Sequence, residues 1–263
     1  MRSGVTPSRP GRVPADSARA SVRLGLVLRS ILVAPRVGFE SAIEASRRRA
    51  RIRARSSEGA APFVLAAMGG ASMMLLWLKL GGMADLRDVG PRAYDAGLLV
   101  AALVAGALVG LGGQWLWSEA AARLAGATRR ALRRDEGADP PGVSVPARSG
   151  GASAPELRLV WGAAAFPQVL PLFVLLPLDL LIVGPGAFTT VPMSDSLATA
   201  WAALSVALGV AIALWSAFLF VRGVQVATEL GPGLTGLTVV AAPVALGLVG
   251  AAFVAATSSA ASL

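Results

Sequence analysis

Five long apolar blocks dominate the pattern of hydrophobic and polar positions along the chain. Each block holds about 20 residues, the number that an α-helix needs to cross the ~30 Å hydrocarbon core of a bilayer. We therefore expect an all-α polytopic membrane protein with five transmembrane helices, in a membrane domain over residues 59–256. The predicted spans are about residues 60–78, 96–117, 159–183, 197–221 and 234–256.

The segment before the first span, residues 16–58, has a different pattern and predicts a cytoplasmic amphipathic and basic helix that Pro35 interrupts. Its apolar positions recur at helical spacing and share one face: Leu24, Val27, Leu28, Ile31 and Leu32. Such a face either lies in the membrane interface or packs on the cytoplasmic ends of the spans, and the pattern leaves both open.

Three further stretches lack the periodicity of a helix. Residues 1–15 are rich in Pro and Arg and predict a disordered arm. Residues 135–156 are rich in Pro, Gly and Ser, which is typical of a flexible linker. Residues 257–263 form a short tail without charged side chains.

The distribution of Lys and Arg predicts the orientation of the chain. With a cytoplasmic N-terminus, 13 of the 24 basic residues lie in residues 1–60 and 7 in residues 118–158, and Arg222 joins them on the inner side. Only Lys79, Arg87 and Arg92 then lie outside. Basic residues collect on cytoplasmic loops, so we expect a multi-pass protein of the plasma membrane with its C-terminus outside. Topology also accounts for the net charge of +9, and no nucleic-acid partner is expected.

The inventory of reactive side chains argues against an enzyme. The chain has no Cys and no His, which removes thiolate chemistry, imidazole acid–base catalysis and the usual zinc sites. No phosphate-binding loop, nucleophile elbow or acidic metal cluster is present in the sequence. We predict no catalytic residue, no metal site and no cofactor.

A cluster of arginines precedes the first span and is the candidate contact for lipid or a protein partner. It consists of Arg47, Arg48, Arg49, Arg51, Arg53 and Arg55. Basic side chains beside a span can bind anionic headgroups on the cytoplasmic leaflet. The expected partners are therefore membrane lipids and an unidentified membrane or cytoplasmic protein.

Few polar side chains interrupt the predicted spans. Asp179 is expected near the outer boundary as a hydrated acid without a basic partner in any span, so that Asp179→Asn would be harmless; a functional role is the alternative. Gln114 and Gln168 are expected to hydrogen-bond between helices. Gly106 and Gly110 form a GxxxG pattern that permits close helix contact.

Three segments resemble bacterial members of the Yip (Ypt/Rab-interacting-protein) domain family. They are Ile31–Phe39 before the first span, Leu157–Leu172 with Phe166-Pro167 and Pro171, and Leu214-Trp215-Ser216 running into Arg222-Gly223-Val224. The resemblance covers about residues 25–256 and implies five spans with an inner N-terminus. Eukaryotic members are implied to bind prenylated small GTPases. Their Asp-Leu-Tyr-Gly-Pro motif is absent here, where Tyr94 is the only Tyr.

These observations lead to two expectations about function. The first is a non-enzymatic membrane scaffold or adaptor of Yip-like type that binds lipid and protein partners at its cytoplasmic face. The alternative is a transporter or permease component, which would need a polar path through the bundle.

Overall fold

The computed structural model describes residues 25–52, 60–84, 96–135, 152–184 and 196–240, and within these ranges all regular structure is helical. The helices are α1 (residues 25–33), α2 (Pro35–Ile52), α3 (Ala61–Ala84), α4 (Ala96–Asp135), α5 (Ala154–Ala164), α6 (Leu176–Ile182), α7 (Ser196–Thr228) and α8 (residues 232–240).

Four helical stretches are long and apolar enough to cross a membrane: Ala61–Leu80, Leu99–Thr128, Ala154–Ile182 and Ser196–Thr228. Most of each stretch is not buried inside the protein, and large apolar side chains such as Val104, Leu108 and Leu214 are exposed. Water-soluble proteins rarely expose apolar surface on this scale. The helical class and the multi-pass membrane character predicted from the sequence are thus confirmed.

Several predicted segments fall partly or wholly outside the described residues. The fifth predicted span, 234–256, is described and helical only as far as residue 240. The arm 1–15 and the tail 257–263 lie outside the description, as does the linker except for its ends. The helix of the second span continues through its basic stretch to Asp135, well beyond the predicted apolar end at residue 117.

The third apolar stretch is not a uniform α-helix, and we call Ala154–Ile182 the broken span. A 3₁₀ turn at Phe166–Gln168 and a π-helical segment at Pro171–Leu175 separate α5 from α6. Both segments contain a proline, and Pro177 follows in α6. Proline has no N–H to donate and crowds the preceding turn, so the regular α-helical hydrogen bonding is interrupted at these points.

Helices α3 and α4 approach each other closely along a path of small residues. A Cβ added to Gly106 would meet the backbone of Gly70 and Ala71, and a Cβ added to Gly110 would meet the carbonyl of Ala66. The backbones therefore touch where the GxxxG pattern occurs, which is the close contact that this spacing permits.

The bundle has two ends with different side chains. At one end, which we call the docked end because α1 and α2 pack against it, the four spanning stretches carry Pro62, Gln114, Arg158 and Leu219 in turn. The far end carries Lys79, Asp179 and Ser205. Ala66 and Gly70 of α3 contact Gly110 and Gly106 of α4 in reversed order. Val160 and Asp179 of the broken span likewise lie against Gly223 and Trp201 of α7, so both pairs of stretches run antiparallel.

Helices α1 and α2 pack against the docked end. The chain bends at Ala34 and turns back so sharply that a Cβ on Gly38 would strike the backbone of Ile31. Phe39 is 0% exposed, and its ring lies against Gly223 of α7. Ile31, Phe39 and Ile43 join one buried cluster with residues of α4, α5 and α7. Of the two arrangements that the sequence left open, the structure has the apolar face packed on the ends of the helices.

The core of the docked end contains three aromatic rings. Trp117, Trp161 and Phe220 lie with their ring centroids 4.6 to 5.4 Å apart in tilted or edge-on geometry. Such pairs contribute about 0.5–1.5 kcal/mol beyond their buried area. Trp117 is 3% exposed and belongs to the buried cluster that includes residues of α1, α2, α5 and α7.

Candidate functional sites at the two ends of the bundle

An ion pair between Lys79 and Asp179 occupies the far end. The Lys79 ammonium on α3 donates to Oδ2 of Asp179 on α6 and to Oγ of Ser205 on α7, at 2.7 Å. The indole Nε1 of Trp201 donates to Oδ1 of Asp179 at 3.0 Å. The two charged side chains are 10% and 2% exposed. Three helices thus enclose one positive and one negative charge.

This arrangement corrects the prediction for Asp179. From the sequence, Lys79 was expected outside the membrane after the first span, and Asp179 was expected to be a hydrated acid without a basic partner in any span. In the structure α3 continues through Lys79 to Ala84, and the side chain of Lys79 reaches Asp179. An unpaired charge inside a bundle is costly, so the pairing explains how both residues are accommodated there.

A small cavity with both polar and apolar lining residues lies beside Lys79. Its volume is about 10 Å³, and its lining includes Ser72, Lys79, Gln168 and Ser205. That volume is close to the minimum that holds one water molecule. Ser72 Oγ donates to Oε1 of Gln168 at 3.2 Å, and Nε2 of Gln168 is buried without a hydrogen-bond partner among the described residues.

The docked end holds a second set of ion pairs, which join the N-terminal segment to the spans. Arg47 of α2 donates through Nε and Nη2 to the two carboxylate oxygens of Glu156, at 2.6 and 3.3 Å. Glu156 also accepts from the backbone N–H of Ser153 at 3.1 Å, which is half of a capping box at the start of α5. The carboxylate therefore fixes both the entry of the broken span and the position of α2.

Arg158 and Gln114 connect three of the spanning stretches at the same end. Arg158 donates to Glu119 at 2.8 Å and to Ser118 at 3.3 Å, both on α4. Gln114 is fully buried, and its Nε2 donates to the backbone carbonyls of Pro62 and Arg158, at 3.2 and 2.8 Å. It is thus a hydrogen-bond donor between helices, while its Oε1 has no partner among the described residues.

The structure describes only part of the arginine cluster. Arg47 is held by Glu156, and Arg48 is paired with Glu44 at 2.8 Å. The side chains of Arg49 and Arg51, and all of Arg53 and Arg55, lie outside the described residues. The two arginines that can be placed are therefore both engaged by carboxylates of this chain.

Ion pairs change the pKa of Arg47 and of Glu44, both on α2. A hydrogen bond to Glu156 raises the pKa of Arg47, against a smaller opposing effect of burial. A hydrogen bond from Arg48 lowers the pKa of Glu44, and this pair is fully exposed. Both guanidinium groups therefore stay charged at physiological pH.

Some of the polar contacts that were not predicted do have a signal in the amino-acid sequence. Ser153-Ala-Pro-Glu156 has the spacing of a capping box and predicts that Glu156 turns back to the start of its helix. The apolar run continues past Lys79 through Leu80, Gly81, Gly82 and Met83, which indicates a lysine inside a helix. No sequence signal singled out Ser205 or Trp201 as partners of Asp179.

Within the described ranges, no group of three or more metal-ligating carboxylates is present. The polar groups described above at both ends are hydrogen-bonding and ion-pairing partners of one another.

The resemblance to the Yip domain family rests on the three segments quoted above. The chain matches no family model, no curated protein and no solved structure.

Proposed function

We propose that the protein is a non-enzymatic membrane scaffold or adaptor of Yip-like type, which binds its partners through the N-terminal segment at the docked end. The observation that carries this proposal is the way in which α2 is held. Phe39 and Ile43 anchor one face in the core, and Arg47 is tied to Glu156. The opposite face is thereby presented as a rigid surface.

That exposed face of α2 has alternating charge and suits a protein partner. Two i,i+4 ion pairs, Arg36–Glu40 and Glu44–Arg48, lie along it, and Val37, next to Arg36, is exposed. A surface without net charge gives little attraction to an anionic bilayer, whereas paired charges around an apolar residue give specificity to a protein contact. Lipid binding is assigned to the rest of the arginine cluster.

The orientation of the protein belongs to the same proposal. We place the N-terminus and the docked end in the cytoplasm, five spans in the plasma membrane and the C-terminus outside, on the strength of the asymmetry in Lys and Arg. Reporter domains fused after Arg134 and after Leu263 should lie on opposite sides of the membrane. The same side for both would contradict the five-span topology.

The adaptor function is tested by crosslinking from the exposed face of α2. A photoreactive residue in place of Ser41 or Ala45, both exposed, should give a discrete protein adduct in cells. The same probe at Val104 or Leu108 of α4 serves as the matched control and should give lipid adducts only. Reversing two charges with E40K/E44K should remove the adduct, because the surface loses its alternation. No protein adduct from α2 would refute the proposal.

Surface substitutions are preferable to deletion of the whole segment. Removing residues 1–55 would also remove Phe39 and Ile43, and it would uncover Trp117, Leu157 and Leu219 at the docked end. A loss of partner after such a deletion could not be separated from the effect of exposing this apolar surface.

A second candidate function, a transporter or permease component, is favoured by the far end. Ionisable residues enclosed among spans commonly mark the pathway of an ion or a proton, and interrupted helices commonly form substrate sites in transporters. Lys79 and Asp179 are enclosed in this way, and Asp179 follows the π-helical segment of the broken span. Solute uptake by proteoliposomes that contain the purified protein, and its loss in D179N, would favour this candidate over the adaptor.

A further inference from the structure

Three side chains on the outer face of α7 form a row near the docked end. The rings of Trp215 and Phe218 lie with their centroids 5.3 Å apart and their planes 26° from parallel. The guanidinium carbon of Arg222 lies 5.5 Å from the centroid of the Phe218 ring, in cation–π contact with it. Both rings are more than 40% exposed. Since residues three, four and seven positions apart share one face of a helix, the two rings and the cation form a continuous outer surface.

Arg222 carries a positive charge that no carboxylate within the described residues neutralises. It is the only charged residue of α7, and its Nη1 donates to Oε1 of Gln225 at 3.1 Å. A guanidinium has five N–H donors, so donors remain for an anion outside the protein. By contrast, four other arginines of the described ranges each form an ion pair with a carboxylate of this chain: Arg36, Arg47, Arg48 and Arg158.

The length of this face of α7 matches one leaflet of a membrane. Leu208, which is exposed, lies on the same face seven residues before Trp215, and Arg222 lies seven residues after it. The rise from Leu208 to Arg222 is about 21 Å at 1.5 Å per residue, which is about half the thickness of a bilayer with its headgroups. Aromatic side chains favour the boundary between headgroups and acyl chains, and here the rings lie between the apolar and the charged part of the face.

A phospholipid matches both parts of this face. Its phosphodiester has a negative charge and oxygen acceptors that suit a guanidinium, and its acyl chain suits the exposed rings and Leu208. Inorganic phosphate would leave the apolar part uncovered. The charge of the headgroup then determines the preference. A zwitterionic headgroup brings its own cation to the phosphate, whereas a headgroup with a net negative charge is attracted to a cation of the protein.

We propose that the outer face of α7 from Leu208 to Arg222 binds one anionic phospholipid of the leaflet at the docked end. Arg222 binds the phosphate, Phe218 and Gln225 hold the guanidinium in position, and Trp215 and Leu208 contact an acyl chain. The inference goes beyond the proposed function, in which lipid binding belongs to the arginine cluster, and it applies to an adaptor and to a transporter alike.

The test measures which lipids the full-length protein retains when it is released from detergent in native mass spectrometry. The protein is incubated with equal amounts of phosphatidylglycerol or phosphatidylcholine, and the wild type should retain phosphatidylglycerol more strongly. In R222Q one phosphatidylglycerol molecule should bind about fivefold more weakly, the usual contribution of one arginine at a membrane surface, while retention of phosphatidylcholine stays the same. Equal retention of the two lipids by the wild type, or of phosphatidylglycerol by the wild type and R222Q, would overturn the site.

Two further variants and a competitor separate the site from general effects of charge. Arg36→Gln removes a charge that Glu40 already neutralises, so it should behave as the wild type, and a loss equal to that of R222Q would overturn the site. W215A keeps the charge but shortens the apolar face, so it should weaken the retention of both lipids. Unchanged retention in W215A, or displacement of phosphatidylglycerol by an excess of inorganic phosphate, would overturn the assignment to a lipid.

Failure of this site and failure of the arginine cluster as a lipid contact are distinguishable by the same measurement. R49Q/R51Q/R53Q/R55Q removes four arginines of the cluster and leaves Arg47 and Arg48 in their ion pairs. A loss of phosphatidylglycerol in R222Q but not in this variant supports the site on α7 and argues against the cluster. A loss in this variant but not in R222Q overturns the site on α7 and leaves the cluster standing.

Discussion

The two ends of the bundle hold charged side chains on apolar helices in different ways. At the docked end, Arg47 is 38% exposed and Glu156 10%, so water and salt reach the pair. At the far end, Lys79 and Asp179 are 10% and 2% exposed, and protein groups satisfy the charges. A partly exposed pair such as Arg47–Glu156 is therefore adjustable, whereas an enclosed pair must be kept or removed as a unit.

The largest effect is expected from Asp179→Asn. The substitution leaves the Lys79 ammonium enclosed without a counter-charge, and breaking a buried pair in this way costs about 3–5 kcal/mol. Thermal unfolding in detergent should show a drop of many degrees in Tm. The double variant K79M/D179L should recover most of it. A Tm of D179N equal to that of the wild type would mean that the far end is as solvated as the docked end.

An effect of similar free energy, but confined to α1 and α2, is expected at the anchor of α2. Phe39→Ala removes a fully buried ring, a change that typically costs about 3–5 kcal/mol. Here we expect detachment of α1 and α2 from a bundle that stays folded, because the four spanning stretches keep their own contacts. Limited proteolysis should cut residues 25–52 faster in this variant. Val37→Ala on the same helix, where the side chain is 60% exposed, is the matched control and should be cut at the wild-type rate.

A smaller effect is expected from Glu156→Gln at the docked end. The variant loses a charge-assisted hydrogen bond to Arg47 and weakens the cap of α5, together about 1–2 kcal/mol. Since the Arg47–Glu156 pair is partly solvated, salt screens it, and the difference in Tm between the wild type and the variant should become smaller at high ionic strength. Tm measured against NaCl concentration should therefore converge for the two proteins. Parallel curves would show that Arg47 and Glu156 are as protected as the pair at the far end.

The smallest effect is expected at Glu44, whose pKa is lowered by Arg48. A lowered pKa in the folded state means that the pair adds stability above the unfolded-state pKa and loses it as the pH falls through the folded value. Because the pair is fully exposed, Glu44→Gln should not change Tm measurably. The carboxyl resonance of Glu44 should titrate below its usual range at low salt and return toward it in 1 M NaCl. A shift that persisted in salt would contradict full exposure.

The sequence alone was sufficient for the helical class and for most span positions, because long apolar runs need no partner to be recognised. The partnership of Lys79 with Asp179 was missed for a physical reason. The two residues are 100 positions apart, and only the packing of α3 against the broken span brings them together. Periodicity likewise could not decide where α1 and α2 lie, since a bilayer interface and the apolar end of a bundle select the same amphipathic face.

The length of α4 has a practical consequence. Ala96–Asp135 is one uninterrupted helix of 40 residues, about 60 Å long at 1.5 Å per residue, twice the thickness of the hydrocarbon core. A helical partner domain fused in register after Asp135 would therefore continue a stiff rod, with its distance and rotation set by the number of inserted residues. Such a fusion would give a protein of 26.6 kDa a rigid fiducial for particle alignment in electron cryomicroscopy.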